Sequence, residues 1–191
     1  MATTTAIVEI LVIGIVGSIW VIFFITGIFA LPLDALVDFM LKLNDWSGLI
    51  TFLLIGILYQ LGWLINGFSY GILRLSLEKR IRSNIFNQKK LEYRKVRALV
   101  YQKASDKVRE DLNVERSVIR LSRSGIFNFF LVSTALLING STFIKFVPIS
   151  LVLFAGCGVQ WYFRFIRYYN RMIDEYDVIK ACNWYKKGVC K

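Results

Sequence analysis

Between two pairs of long apolar runs lies a stretch, Ser76 to Ser124, with 14 Lys+Arg against 6 Asp+Glu, which is +8 of the chain's net +11. The runs on either side are long enough to enter a bilayer, so the charged insert must lie outside it, and its basic excess assigns it to the cytoplasmic face. The chain is therefore expected to be a multi-pass membrane protein carrying a basic cytosolic helical hairpin. Composition agrees. In 191 residues, 56% apolar and 19% charged side chains leave more hydrophobic surface than one soluble domain can hide.

Four spans follow from apolar length. Ile7 to Ala30 and Gly48 to Leu73 exceed the roughly 20 residues that a helix needs to cross hydrocarbon. Gly125 to Thr142 and Phe146 to Phe163 are short, and a turn at Thr142 to Lys145 joins them, so they read as either a thin transmembrane pair or a re-entrant hairpin. Pro148 suits the first turn of the fourth helix, where a missing N–H costs nothing. Met1 to Val8 has no Lys or Arg, and the run after it is too long for a signal-peptide core, so the first segment is read as a permanent helix.

The loop Leu31 to Ser47 has a net charge of −2 and the tail Arg164 to Lys191 one of +4. Both termini are then expected in the cytoplasm, with a bacterial inner membrane as the favoured setting. The fold class expected is an all-α integral membrane protein with four transmembrane helices. Residues 1–75 form the first pair, with an external interfacial helix at 31–47. Residues 76–124 are the basic insert, 125–163 the second pair and 164–191 a basic cytosolic tail. In the external helix Asp34, Asp38, Lys42 and Asp45 make one polar stripe, and Trp46, Trp161 and Tyr162 suit the interfacial aromatic belt.

The second span is richest in packing cues. Gly67 to Gly71 is a small-xxx-small step, and with Gly56 it marks an expected helix-packing or oligomer face. Gln60 and Asn66, with Asn128 and Gln160 on the third and fourth spans, are expected to hydrogen-bond between helices; lining a pore is the functional alternative. Glu9, the only acid within the apolar segments, is expected to pair with Arg123 or Arg164 on the same side of the membrane.

Within the insert, the second span's periodicity continues to the Asn84 to Gln88 region. A helix bearing Leu91, Val96, Leu99 and Val100 should end before Ser105 or Asp106, and Asn113 is a candidate cap for a helix running into the third span. The insert is thus expected to be a pair of long helices with a kinked or broken tip. Arg116, Arg120 and Arg123, at i, i+4 and i+7, form a basic stripe suited to anionic lipid headgroups or an acidic partner, with simple positive-inside anchoring as the plainer role. Nucleic-acid binding motifs are absent, so nucleic acid is not expected as a direct ligand.

Enzyme chemistry has little support. The chain has no histidine, which removes histidine metal sites and Ser-His or Cys-His pairs, and it lacks the phosphate-loop and nucleophile-elbow motifs. Asp106, Glu110, Asp111 and Glu115 alternate with Lys107, Arg109 and Arg116 as a solvated ion-pair face does. No catalytic residue, cofactor or metal is expected, and Cys182 and Cys190, in a reducing compartment, are not expected to form a disulfide.

The order of a span entering the cytoplasm, a charged cytosolic helical hairpin and a short helix pair resembles the topology of membrane-protein insertases of the Oxa/YidC kind. That resemblance implies a polar intramembrane groove, typically holding a basic residue, and the spans here have no Lys or Arg at depth. The expected function is a non-enzymatic membrane subunit that self-associates and recruits or signals to a cytosolic protein through its insert, with a bacterial stress or defence system as one setting. An oligomeric ion channel or membrane-permeabilising effector is the alternative, and an insertase-like chaperone the next.

Overall fold

The computed structural model describes residues 2–29, 38, 47–73, 77–140 and 143–188. The external helix at 31–47 therefore lies outside the described residues except for Asp38 and Ser47, as do Leu75, Thr142 and Cys190. All regular structure among the described residues is helical. The elements are α1 (Ala2–Phe29), α2 (Ser47–Leu73), α3 (Lys79–Gln88), α4 (Tyr93–Lys103), α5 (Asp106–Ile138), a 3-10 turn (Ile144–Phe146) and α6 (Val147–Gly188). Among the described residues four stretches are long and apolar enough to cross a membrane: Ala6–Phe29, Ile50–Leu73, Asp106–Ile138 and Ile144–Cys182.

Local chemistry sets the ends of these helices. α3 closes on a paired set of bonds, Lys90 N–H to Asn87 O at 3.1 Å and Leu91 N–H to Phe86 O at 3.0 Å, with Lys90 in the left-handed region at φ 52°. This is a Schellman-type ending that usually takes glycine. α4 stops at Lys103, after which Ala104 is extended, and the Ser105 hydroxyl accepts the Val108 N–H at 3.4 Å to open α5. Asp106 in the first turn complements the helix dipole and pairs with Arg109.

Asn113 is therefore not a cap. It lies inside α5, where its carbonyl receives the Ser117 hydroxyl at 3.1 Å, because Ser105 and Asp106 have already started the helix. Among the described residues the insert comprises α3, α4 and the start of α5, which runs on without a break to Ile138. At the other end of α5 the chain turns through Gly140 at φ +75°, and Pro148 stands in the first turn of α6 as expected.

The chain forms two compact units. The first comprises Met1–Gly71 and Arg120–Val159, the second Ile72–Ile119 and Gln160–Lys191. In the first, Ile13, Ile65, Val132, Ala135 and Leu136 are buried. Backbones of α1 and α2 touch at glycines: a Cβ on Gly14 would lie 1.9 Å from Leu58 O, and one on Gly62 1.9 Å from Ile10 O. In the same unit α6 meets α5 where Ser150 donates to Phe129 O at 2.9 Å and Ser133 to Ser150 at 3.0 Å.

In the second unit the insert and the tail, separate stretches in sequence, share one core of Phe86, Val96, Val100, Leu112, Tyr169, Met172 and Ile173. The Tyr169 ring meets Phe86 at 5.7 Å, Tyr93 at 5.7 Å and Phe165 at 4.8 Å in edge-on contacts. Trp161 is buried against Phe165 rather than lying in an interfacial belt, whereas Tyr162 is exposed.

Candidate functional site

In the first unit several polar side chains of the membrane-length helices face one another. Glu9 on α1 is 6% exposed, and its Oε2 accepts two bonds from Arg120 of α5, from Nε at 3.0 Å and Nη2 at 2.7 Å. A carboxylate in an apolar helix needs such a partner, since burying an unmet charge is far costlier than burying a pair. Glu9 Oε1 is buried with no hydrogen-bond partner. One turn along α5, buried Arg123 donates Nη2 to Asn66 Oδ1 of α2 at 3.1 Å and lies 4.8 Å over the Tyr70 ring. The Ser69 and Ser124 hydroxyls approach at 3.4 Å beside it.

Two further side chains, Asn128 of α5 and Asn139 just beyond its end, tie this segment to α1. Asn128 donates to Ile13 O at 3.2 Å and accepts from the Trp20 indole at 3.1 Å. Asn139 donates to Phe23 O at 2.6 Å and accepts from Thr26 at 3.4 Å. Glu9, Ile13, Trp20, Phe23 and Thr26 thus meet Arg120, Asn128 and Asn139 in parallel order, forming a polar ladder between two long helices. Each rung satisfies groups that hydrocarbon cannot.

Several expected pairings are corrected by this geometry. Glu9 meets Arg120, not Arg123 or Arg164. Arg123 is taken by Asn66, and Arg164 pairs in the second unit with Glu115 at 3.0 Å. Asn128 bonds to α1, not to Asn66. Gln160 and Gln60 are both exposed. Arg116, Arg120 and Arg123 do share a face of α5, but it is the face turned into protein, where Arg116 donates to Tyr101 at 3.2 Å. Buried Leu112 and Ile119 on that side of the helix show why. Charge spacing alone treats such a stripe as solvated, since the partners lie 15 to 111 residues away.

Gly56, Gly67 and Gly71 have open space where a Cβ would stand. Gly14 and Gly62 instead carry the backbone-to-backbone contact of α1 with α2, and Gly17, Gly27 and Gly125 pack against internal side chains. Trp20 and Asn139, missed in the sequence, carried weak signals: an indole amid aliphatic residues, and an amide in a motif that reads as a glycosylation acceptor.

In the second unit Asp111 pairs with Arg171 at 2.6 Å, and on the surface Glu92, 2.9 Å from Lys95, raises the Lys95 pKa through its hydrogen bond and charge. Among the described residues no three His, Cys, Asp or Glu side chains gather as a metal site would require. The geometry defines an all-helical protein with four membrane-length helices, cross-tied by a buried ion pair and amides. Comparison with known protein families, with characterised proteins and with solved structures finds no match.

Proposed function

We propose that the protein is a non-enzymatic membrane subunit that assembles with copies of itself through α2 and presents the basic surface of α3 and α4 to a cytosolic partner. The observation that carries this reading is the outward face of α2. At 100° per residue, Gly56, Gln60, Gly67 and Gly71 fall within about 60° of one another. That face is opposite the one that holds Gly62 and Ile65 against α1. It combines open glycine surface with an exposed Gln60 amide in the middle of an apolar helix.

In a lone chain that amide faces hydrocarbon. A second copy offers the matching donor and acceptor, and the glycines let the backbones come close. On the insert, Phe86, Val96 and Val100 turn inward, while Lys79, Arg80, Lys89, Lys90, Arg94 and Arg97 are exposed, a surface suited to an acidic protein. The setting we propose is a bacterial inner membrane with both termini in the cytoplasm.

Gln60 also carries a second reading, an oligomeric channel in which amides from several copies line a path instead of closing a seam. Asn66, bonded to Arg123, takes no part in it.

The test is the mass of the nanodisc-embedded particle. A discrete multiple of the 22.1 kDa chain is expected, lowered towards the single chain by Gln60→Leu. A single chain at all protein concentrations would sink the proposal. Ion flux through the wild type that Gln60→Leu abolishes would select the channel. A stoichiometric cytosolic companion lost on replacing Arg94 and Arg97 would select the recruiting subunit.

A further inference from the structure

Along α6 the apolar stretch ends at Phe163, and three arginines follow at positions 164, 167 and 171. Two of these are engaged within the second unit, Arg164 with Glu115 and Arg171 with Asp111. Arg167 is exposed, and no described ion pair uses it. It stands in a surface groove of about 440 Å³ lined by Phe163, Ile166, Arg167, Asn170, Arg171 and Asp174.

We infer that this groove binds one anionic phospholipid, with Arg167 holding the phosphate and Phe163 and Ile166 supporting the start of an acyl chain. The groove changes character along its length in the order a lipid does. Its membrane-side end is apolar, with Phe163 66% exposed and continuous with the spanning stretch. Its middle holds a guanidinium whose fork matches phosphate oxygens, flanked by the exposed Asn170 amide and by Arg171. From Phe163 to Asn170 the helix rises about 10 Å, comparable with the headgroup layer of roughly 5 to 8 Å that separates hydrocarbon from water on each side.

Charge fixes the register. Asp111 neutralises Arg171, which leaves Arg167 as the groove's unmatched cation. Asp174, exposed at the aqueous end, repels a phosphate that moves further from the membrane. A free phosphate or an acidic peptide would find the same cation but has no use for the apolar half.

This inference differs from the lipid role expected of Arg116, Arg120 and Arg123, whose guanidiniums are bonded to Tyr101, Glu9 and Asn66. It needs only that α6 enters the membrane, not that the chain self-associates.

The experiment uses the full chain equilibrated with micelles containing equal parts phosphatidylglycerol and phosphatidylcholine. Native mass spectrometry then reads the ratio of the two lipids retained. The wild type should retain phosphatidylglycerol preferentially, and Arg167→Gln should lower the ratio about fivefold, the factor one basic residue contributes at an anionic surface. Lys107→Gln removes the same charge from an exposed site on α5 and should leave the ratio unchanged. Phe163→Ser should shorten retention of the lipid while leaving Arg167 in place.

Three outcomes overturn the inference. One is an unchanged ratio in Arg167→Gln. Another is an equal fall in Lys107→Gln, which would mean that net charge alone matters. The third is displacement of the lipid by millimolar inorganic phosphate, which would mean that the groove reads phosphate without its chain. Gln is a good helix former and Arg167 is exposed, so the variant should fold; unaltered circular dichroism checks this.

Discussion

A carboxylate inside an apolar helix persists only where its charge is met, and both donors that reach Glu9 come from the single guanidinium of Arg120. The pair differs in exposure: the Glu9 side chain is 8% exposed and that of Arg120 33%. Glu9→Gln therefore leaves behind a cation that reaches solvent, and the expected loss is about 2 kcal/mol, below the range for a fully buried pair. Arg120→Gln strands the buried carboxylate instead and should cost more. The double variant should be more stable than the sum of the two losses implies, by roughly 1 kcal/mol. Unfolding midpoints in detergent provide the measurement, and strict additivity would show that the pair carries no coupling. Asn128 differs because both its partners are neutral. Asn128→Leu should cost about 1 kcal/mol, typical of an interhelical hydrogen bond in membranes, and should shift the emission of Trp20, whose indole loses its acceptor.

Among the helices, two sets of glycines, Gly14 of α1 with Gly62 of α2 and Gly56 with Gly67 of α2, separate internal from external packing. Gly14→Ala or Gly62→Ala would drive a methyl into the facing backbone, 1.9 Å from a carbonyl oxygen that no rotamer change can move. Each should cost upwards of about 3 kcal/mol, at the top of the overpacking range or beyond it. Gly56→Ala and Gly67→Ala meet nothing within 4 Å, so the chain's own unfolding midpoint should hold or rise by up to about 1 kcal/mol from helix propensity, while the proposed assembly weakens. Reversal of this pattern would place the external face on the wrong side of α2. The long elements were legible because twenty apolar residues in a row admit few other structures, and Ser105 announced α5 by its side chain. The continuity of α5 and α6 was not, since apolar length marks where a helix leaves hydrocarbon and says nothing of where it ends. Periodicity also identified the arginine face of α5 without its direction: Glu9, Asn66 and Tyr101 are distant in sequence, and only folding brings them opposite. Gly62 has the same kind of apolar surroundings in sequence as Gly67, and the α1 backbone it touches is absent from any local pattern.

For the molecule as a whole, orientation is the property on which the proposed partner surface depends. Net charges of +8 on 76–124, +4 on 164–191 and −2 on 31–47 are the basis of the proposed orientation, with the insert and tail on one side and the connection between the first two helices on the other. The continuous α6 supplies a clean probe. Exposed Cys182 lies 18 residues past Arg164 on this helix, about 27 Å along its axis, beyond the reach of the headgroup layer. In a chain carrying Cys157→Ser and Cys190→Ser, an impermeant maleimide should label Cys182 in inside-out vesicles and leave it unlabelled in right-side-out ones. A cysteine placed at Asp38 should behave oppositely. Labelling of both from one side would mean that an even number of crossings separates residue 38 from Cys182, where a fully spanning second pair gives three and a re-entrant pair one, and the cytosolic position proposed for α3 and α4 would lose its support. Lys145→Cys, in the exposed turn before α6, then distinguishes the two forms of the last helix pair. Labelling from the Asp38 side requires α5 and α6 to cross fully, whereas protection there and reaction from the Cys182 side requires a re-entrant pair. Cys182 reports the same side in both cases, because a hairpin returns to the face from which it starts, so the location of the basic surface is decided independently of how deep that hairpin goes.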